Sequence, residues 1–421
     1  MYIYIIAGIL ILLVIYKYID TVEPFSQDND YRNDSIYKKQ IVILKKYDEQ
    51  SSQRRSVYDL IKTFEPNVRE MKSFVNFYSL GCRYSGFIGP MENGYWDPDV
   101  AIKYAVDAGC RTFVLDIDYD DKCDLFPRIV VNSSNNVNQI NAKTNIKCQD
   151  MNSSNIKYVC DKINTYTRSI SDPIIIVLYF IKIPPGRKDS TDVLTYYSNV
   201  AKCLSPFKSR LLKNISNGNY DRQKQSDILL RNDIEKYKNK VLIFSNADTS
   251  GFCGKSYNID DNIDDLDYLV NLRLKYGSDV DTSNSGANIA CATDRQISGI
   301  LQSDTFYVND NKSIITKGSS TNDIIDINKK NWTICLSSNT SNPVDKIGYD
   351  IISSYGVNCI PAMIFDPKSE FMFSDKLFKK YSYISKPDNL RLTKDPIITP
   401  NPIDKRTDSK GGSLASPVTR I

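Results

Sequence analysis

The sequence predicts an α/β protein built on a parallel sheet, because amphipathic helices alternate with strands that are apolar on both faces. Two apolar runs carry this prediction most clearly, IIIVLYFI from Ile174 and VLIFS from Val241. Uninterrupted apolar strands are typical of a sheet that is covered on both sides, as parallel sheets are. Helices between such strands indicate parallel connections, in a sheet that is either open or closed.

The elements that precede and follow these runs fit the same pattern. Asp97 and the proline after it are typical of a helix start, and the helix is predicted to end at Gly109. A strand follows it, TFVLDIDY from Thr112. A second helix is predicted from Asn155, with apolar residues at helical spacing, and it leads into the first apolar run. IPAMIF from Ile360 is a further candidate for a buried strand.

The amino terminus predicts a membrane anchor. Residues 2 to 16 form an uncharged apolar run that Lys17 closes, and the whole segment 1–19 approaches the roughly 20 residues that a spanning helix needs. The alternative is a cleaved signal peptide, but a basic leading region and a small-x-small cleavage site are both missing. The orientation stays open, because no Lys or Arg precedes the apolar run.

The rest of the chain divides into three regions. Residues 20–72 are predicted to form a linker and a juxtamembrane helix, residues 73–392 the folded domain with a surface insertion near 255–330, and residues 393–421 a disordered tail rich in proline. Basic residues on the helix could lie against anionic headgroups or simply form a solvated face. These residues are Lys38, Lys39, Lys45, Lys46, Arg54 and Arg55.

Composition excludes several kinds of chemistry. The chain contains no histidine, so a mechanism that needs a histidine pair is excluded. The net charge of +4 is too small to predict a nucleic-acid partner. Ten cysteines lie between Cys82 and Cys359, but no C-x-x-C pair exists, so a zinc ribbon is not predicted. Buried free thiols and disulfides both remain open.

Four segments, in the right order, resemble the catalytic barrel of eukaryotic phosphoinositide-specific phospholipase C, across its X and Y halves. AVDAGCRTFVLDIDYDD from Ala105 resembles the helix ending in G-C-R and the strand with E-L-D, and FPRIVVN from Phe126 resembles the P-x-x-x-H segment. The run from Tyr158 through the first apolar strand resembles the next helix and P-V-I-L-S-L-E. The stretch from Tyr355 to Arg391 resembles the closing segment G-Y-x-x-K-P-x-x-L-R. The resemblance implies a TIM-type (β/α)8 barrel of the phospholipase C-like phosphodiesterase kind, behind an N-terminal transmembrane helix.

The same resemblance implies that the chemistry has been lost. In the family, two histidines transfer protons, and a calcium ion held by Asn, Glu, Asp and Glu stabilises the developing charge. The histidine positions fall at Cys82 and Asn132. The calcium positions fall, in order, at Arg83, Val114, Asp116 and Tyr179. Two lysine positions that contact the headgroup fall at Phe244 and Asn246.

These replacements leave no evident metal site. Calcium prefers six to eight oxygen ligands with several carboxylates, so Asp116 beside Arg83 is not expected to hold it, and no cofactor is predicted. Asp116 is interpreted as a hydrogen-bonded residue at a strand end. Asp118, Asp120 and Asp121 could form a replacement acidic site, although a loop rich in aspartate is usually solvated.

Two functional hypotheses follow. The first is a membrane-anchored, catalytically inactive barrel that acts as a structural or interaction component, with other virion or membrane proteins as partners. An anchor followed by an EPF juncture is similar to membrane proteins of large DNA viruses, which implies a virion or host internal membrane. The second is a phosphodiesterase with a rearranged or calcium-independent site that acts on phospholipids or glycerophosphodiesters and uses Asp116 with Asp118 or a lysine. Only this alternative admits calcium. A smaller possibility is binding of a phospholipid headgroup, phosphoinositide, without hydrolysis.

Overall fold

The structure is a computed structural model that describes fourteen stretches of the chain. They are residues 32–51, 54–64, 69–90, 94–119, 125–130, 153–212, 228–249, 266–276, 298–302, 306–308, 314–316, 321–336, 344–374 and 378–393. The predicted anchor, residues 1–19, and the predicted tail beyond residue 393 lie outside them. Within these stretches, no helix has the length and apolarity needed to cross a bilayer.

Parallel strands form the wall of a barrel and follow one another in chain order. Those of the described stretches are β1 Gly81–Arg83, β2 Thr112–Asp118, β3 Ile174–Phe180, β4 Val241–Ser245, β5 Leu272–Tyr276, β6 Ser298–Gln302 and β7 Thr333–Leu336. Each strand pairs in parallel with the next one along the chain. The sheet is therefore parallel throughout these strands, as the sequence predicts.

Residues 359–362 close the barrel between β7 and β1. On one side, the main-chain nitrogen of Cys335 donates to the oxygen of Cys359 at 2.9 Å. On the other side, the main-chain nitrogen of Arg83 donates to the oxygen of Ala362 at 2.9 Å. Both bridges are parallel. This closing segment takes the place of an eighth strand, so the sheet is a closed barrel of the TIM type rather than an open one.

Helices surround this wall. The longer ones are α1 Ser35–Ser51, α2 Pro98–Asp107, α3 Ser153–Thr167, α4 Thr191–Cys203, α5 Thr321–Lys330 and α6 Lys346–Ser354. Shorter ones are Val57–Ile61, Ile228–Arg231, Leu266–Leu269 and Phe371–Ser374. The predicted start of α2 is confirmed, because the Asp97 side chain accepts from the Val100 main-chain nitrogen at 3.3 Å.

Short antiparallel pairs add to the barrel. They join Phe77–Ser79 with Tyr383–Ser385, Phe87–Ile88 with Tyr95–Trp96, and Phe306–Val308 with Ile314–Thr316, while Arg128–Ile129 extends β2. The first pair brings the chain ahead of β1 together with the chain after the closing segment. The two ends of the domain therefore meet beside the barrel wall.

Side chains of the barrel strands alternate between two cores. Along β2, Phe113, Leu115 and Ile117 pack in the layer between the wall and the helices. Val114 belongs to a second core inside the barrel, where Phe244 lies edge-on to Trp332 with 4.8 Å between the ring centroids. Side chains of a strand point to alternate faces of the sheet, so every second residue faces the lumen. This alternation decides which polar residues lie there.

Helix α1 is packed on the barrel, whereas the sequence analysis assigned residues 20–72 to a linker and a juxtamembrane helix. Leu44 and Tyr47 are buried in the outer core. The Tyr37 hydroxyl donates to Asp97 Oδ2 at 2.8 Å, which joins α1 to the start of α2. The docked helix leaves basic residues such as Lys38 exposed on its outer face.

The interval predicted as a surface insertion, residues 255–330, contributes β5 and β6 to the barrel and must be corrected. The sequence of β5 is LRLKY, so it lacks the continuous apolar run that marks β3 and β4. Leu272 and Leu274 are buried in the lumen, while Arg273 forms an ion pair with Asp248 at 3.4 Å. The charged Arg273 therefore hid this strand from a search for uninterrupted apolar runs.

The cysteines that the structure describes are free thiols. They are Cys82, Cys110, Cys160, Cys203, Cys335 and Cys359, and all of them are buried. For these residues the open choice between disulfides and buried thiols is therefore decided in favour of thiols. Burial raises the pKa of the Cys359 thiol to about 12, which keeps it protonated and unreactive.

Candidate functional site at the carboxyl end of the barrel

Three polar side chains meet at the carboxyl end of the lumen. In the register of the sheet, Arg83 of β1 lies beside Val114 of β2, and Asp116 of β2 lies beside Tyr179 of β3. Val114 faces the lumen, so Asp116, two residues further along the same strand, faces it as well. Functional side chains of barrels of this type lie at this end of the strands. The structure thus brings Val114, Asp116 and Tyr179 to neighbouring positions of β2 and β3.

Arg83 and Asp116 form a buried, two-pronged ion pair. Arg83 Nη2 donates to Asp116 Oδ1 at 2.8 Å, and Arg83 Nε lies 3.2 Å from both carboxylate oxygens. The residues are 5% and 1% exposed. The guanidinium also lies over the rings of Tyr84 and Tyr179, at 5.0 and 5.7 Å from their centroids. Such a pair is directional and satisfies both charges internally.

The electrostatic environment of Arg83 and Asp116 favours their ion pair. Burial raises the pKa of Asp116, and the adjacent Arg83 charge opposes that rise. Burial alone would lower the pKa of Arg83, but the charge and hydrogen bonds of Asp116, together with Tyr84 and Tyr179, raise it above its ordinary value. The guanidinium is therefore charged at neutral pH and holds Asp116, the one carboxylate at the four positions that the resemblance aligns with calcium ligands.

Cys82 faces away from the lumen. Its side chain is 1% exposed and belongs to the core between the wall and the helices, beside Cys110. The inward position at the end of β1 is Arg83. The position that the resemblance aligns with the first histidine therefore does not reach the site, and Arg83 alone represents β1 there. Asn132, aligned with the second histidine, lies outside the described residues.

A second ion pair lies at the last residue of β2. Asp118 Oδ2 is 2.8 Å from Arg128 Nη2, and both side chains are buried. The main-chain oxygen of Asp118 accepts from the Tyr196 hydroxyl at 2.9 Å. Asp118 is therefore held in the fold and does not belong to a solvated acidic loop. Asp120 and Asp121, the other members of the suggested acidic site, lie outside the described residues.

The remaining positions from the sequence alignment have structural contacts. Val114 and Phe244 are fully buried among the apolar side chains of the lumen. Asn246 continues the sheet by its side chain, since Oδ1 accepts from the Phe180 nitrogen at 2.7 Å and Nδ2 donates to the Phe180 oxygen at 2.9 Å. Neither Phe244 nor Asn246 offers a cation to a headgroup.

The described part of the chain contains no group of three or more His, Cys, Asp or Glu side chains that could hold a metal ion. Calcium needs several carboxylates around one point, and here each of the two carboxylates at the end of β2 is bound by its own arginine. The described arrangement can therefore tie β1, β2 and the following loop together. It offers neither an open carboxylate cluster nor a histidine for proton transfer.

Comparison with known proteins gives similar solved structures only. No protein-family model matches the chain, and no curated protein matches it. PLC21 of L. pealei shares 16% identity over 80% of this chain and 41% of that protein, with a TM-score of 0.46. PLC21 of S. officinalis shares 16% over 76% and 38%, with a TM-score of 0.45. The chain spans about two fifths of the length of these two proteins.

A third similar structure is a calcium-dependent phosphoinositol-specific phospholipase C from the Gram-negative bacterium Pseudomonas sp.. The identity is 10%, the alignment covers 76% of this chain and 97% of that one, and the TM-score is 0.45. All three TM-scores are below 0.5. The strand pairing of the chain itself, and not these likenesses, therefore establishes its barrel.

One residue of this site, Arg128, is missing from the sequence-based prediction. That prediction gives Arg83 only as a replaced calcium ligand beside Asp116, whereas the structure makes it the ion-pair partner of Asp116. A signal for Arg128 existed, because it lies in the FPRIVVN segment that follows the aspartates within a short distance along the chain. Buried aspartates need a cationic or hydrogen-bonding partner, so an arginine in an otherwise apolar segment was the natural candidate.

Proposed function

We propose that the chain is a membrane-anchored, catalytically inactive relative of the phospholipase C barrel, and that it serves as a structural or interaction component of a viral membrane. Its partners on this proposal are other virion or membrane proteins, and its location is a virion or host internal membrane. The proposed anchor is residues 1–19. The relation to phospholipase C is supported by the sequence motifs that resemble its X and Y halves.

The Arg83–Asp116 pair is the observation that carries the proposal. A catalytic carboxylate in a metal site must offer its oxygens to the ion, but both oxygens of Asp116 lie within 3.2 Å of the guanidinium. To release Asp116, the protein would have to break this buried ion pair, which costs about 3–5 kcal/mol. The pair therefore favours a structural role for the residue.

The absence of histidine supports the same conclusion. Proton transfer to a leaving alkoxide requires an acid with a pKa near the working pH, and histidine is the usual one. Of the two positions aligned with the family's histidines, the thiol of Cys82 faces the outer core. No step of phosphodiester cleavage can be assigned to it there.

An activity assay tests the proposal directly. The full chain, in detergent, is incubated with phosphatidylinositol and with glycerophosphodiesters, each with calcium and with a chelator. The proposal expects no turnover in any condition. The rearranged-site phosphodiesterase expects turnover that disappears in Asp116→Asn and persists in the control Asp350→Asn, an exposed carboxylate on α6. That second pattern, with both variants folded, would refute the proposal.

The interaction role has its own test. Lys38 and Lys45 are exposed on α1 and accessible to amine-reactive cross-linkers. Cross-linking in the native membrane, followed by peptide mass spectrometry, should join these lysines to other membrane proteins. Cross-links confined to the chain itself would argue against a role in assembly.

A further inference from the structure

A polar cavity of about 320 Å³ lies at the amino end of the barrel. Three chain segments meet around it: the residues that follow α1, the turn between α2 and β2, and the turn between α3 and β3. Arg111 directly precedes β2 and Asp172 precedes β3, so the cavity is at the opposite end from Asp116. Its lining includes three arginines and three serines, namely Arg54, Arg55, Arg111, Ser56, Ser169 and Ser171.

The two carboxylates of the lining are already bound. Asp172 accepts hydrogen bonds from the Ser56 hydroxyl and the Val57 main-chain nitrogen, both at 2.8 Å. Its other oxygen is 3.1 Å from Arg111 Nε. Asp107 forms an ion pair with Lys103 at 3.0 Å. Each carboxylate of the lining therefore already has a cationic partner.

Arg111 presents an open edge to the cavity. Besides its bond to Asp172, its Nη1 donates to the main-chain oxygens of Val106 and Cys110, at 3.3 and 2.9 Å. These three contacts fix the guanidinium plane. Within the described residues its Nη2 has no hydrogen-bond partner. An immobile guanidinium with one free edge is a preorganised donor.

Arg55 supplies an unpaired positive charge. Its main-chain nitrogen donates to the Lys380 oxygen at 2.8 Å, so its backbone is held in place. Its side chain is exposed and forms no ion pair with any described residue. The cavity therefore has one fixed guanidinium edge and one adjustable guanidinium.

The carbonyl ends of α2 and α3 also face this region and carry a partial negative charge. Arg54 offsets part of it, because its Nε donates to the Asp107 main-chain oxygen at 3.1 Å. Burial lowers the pKa of Arg54 to about 10, and the charge of Arg111 acts in the same direction. Three guanidinium groups line the cavity, and a bound anion would supply a counter-charge to them.

We propose that this cavity binds a phosphomonoester, with the phosphate held by Arg55 and the free edge of Arg111. Guanidinium groups match phosphate oxygens in pairs, and a phosphomonoester carries close to two negative charges at neutral pH. The volume exceeds that of a phosphate group alone, and the serines of the lining suit a small polar alcohol portion. The site is at the opposite end from Asp116, so the inference does not depend on the proposed function.

Binding to the full chain in detergent, measured by isothermal titration calorimetry, tests this site. The probes are glycerol phosphate and, in mixed micelles, phosphatidic acid. Arg55→Gln removes the exposed guanidinium and should weaken binding at least about tenfold, since a hydrogen bond between charged groups contributes about 1.5–3 kcal/mol. Arg168→Gln is the control, because Arg168 is an exposed arginine nearby that does not line the cavity.

A second variant, Ser169→Asp, adds a carboxylate to the lining and should abolish binding of both probes. Thermal unfolding of each variant checks that the fold is retained. Tighter binding of phosphatidic acid than of glycerol phosphate would assign the site to a lipid headgroup, and equal or weaker binding to a soluble phosphomonoester. Failure of both probes to bind, or equal affinities of the wild-type chain and Arg55→Gln, would overturn the proposal.

Discussion

Replacing one partner of the Arg83–Asp116 pair should destabilise the fold, whereas replacing both should not. The nitrogen to oxygen distances are 2.8 and 3.2 Å and the side chains are almost completely buried. At about 3 Å and an effective dielectric constant near 20, the Coulomb attraction is about 5 kcal/mol. Desolvation of the two ions costs several kcal/mol each, so the net contribution of the intact pair is small.

The single variants should reveal the cost of desolvating each ion, which the intact pair offsets. Arg83→Leu removes the guanidinium that binds the buried Asp116, and Asp116→Leu removes the carboxylate from a buried guanidinium that lies over the rings of Tyr84 and Tyr179. Each should lower the free energy of unfolding by about 3–5 kcal/mol. Asp116 can lessen the loss by taking up a proton, because burial already raises its pKa. The double variant should lie within about 1 kcal/mol of the wild-type chain.

Urea unfolding, followed by intrinsic fluorescence, measures all four members of this cycle. Trp332 is buried in the lumen and reports its opening. The control pair is Lys346 and Asp350 on α6, both 60% exposed, where single substitutions should change the free energy of unfolding by no more than about 0.5 kcal/mol. Losses below about 1 kcal/mol in the Arg83 and Asp116 single variants, or simple additivity in the double variant, would refute the argument.

Three further predictions concern the core. A Cβ at Gly81 would lie 2.6 Å from Cys359 Sγ, where the closing segment meets β1. Gly81→Ala should therefore lower the free energy of unfolding in urea by about 1–3 kcal/mol, and adding Cys359→Ala should restore much of that loss. A Gly81→Ala variant as stable as the wild-type chain would contradict the closure of the barrel. Burial lowers the pKa of Lys386 well below 10.5, so the folded chain releases a proton that the unfolded chain keeps. Between the lowered pKa and 10.5 the contribution of Lys386 to the free energy of unfolding should therefore rise with pH, by up to about 1.4 kcal/mol per unit, as measured by the difference between the wild-type chain and Lys386→Met. Burial raises the pKa of Cys110 and Cys359, so iodoacetamide should label both thiols only after unfolding. Peptide mass spectrometry measures the labelling, and rapid labelling of the folded chain would contradict the burial of these thiols.

The sequence was sufficient to predict an element of the fold where its pattern had one physical cause. The apolar strands from Ile174 and Val241 can only be stable when both faces are covered, and both are buried in the wall. The start of α2 at Asp97 was predictable because the cap and the proline both act locally. The closing segment, residues 359–362, overlaps the predicted buried strand IPAMIF from Ile360, and the resemblance covers it as well.

The site could be predicted less completely than the fold, because its geometry depends on which side of a strand each residue faces and not on composition. β1 has three residues, so the sequence does not show whether Cys82 or Arg83 faces the lumen. The pairing of Arg83 with Asp116 joins residues of different strands, and no local pattern contains it. β5 was missed for a related reason, because the charged side chain of Arg273 on the outer face breaks the apolar run.

The two ends of the barrel therefore differ in a way that separates their roles. At the carboxyl end each described carboxylate of β2 has its own arginine, while at the amino end Arg55 and one edge of Arg111 stay open. Sites at opposite ends of a barrel share no partner, so their variants should act independently. Asp116→Asn should change the free energy of unfolding but leave the affinity for glycerol phosphate within about twofold, and Arg55→Gln should do the reverse. Loss of glycerol phosphate binding in a folded Asp116→Asn would mean that the ligand occupies the lumen, and that the carboxyl end is less closed than its ion pairs imply.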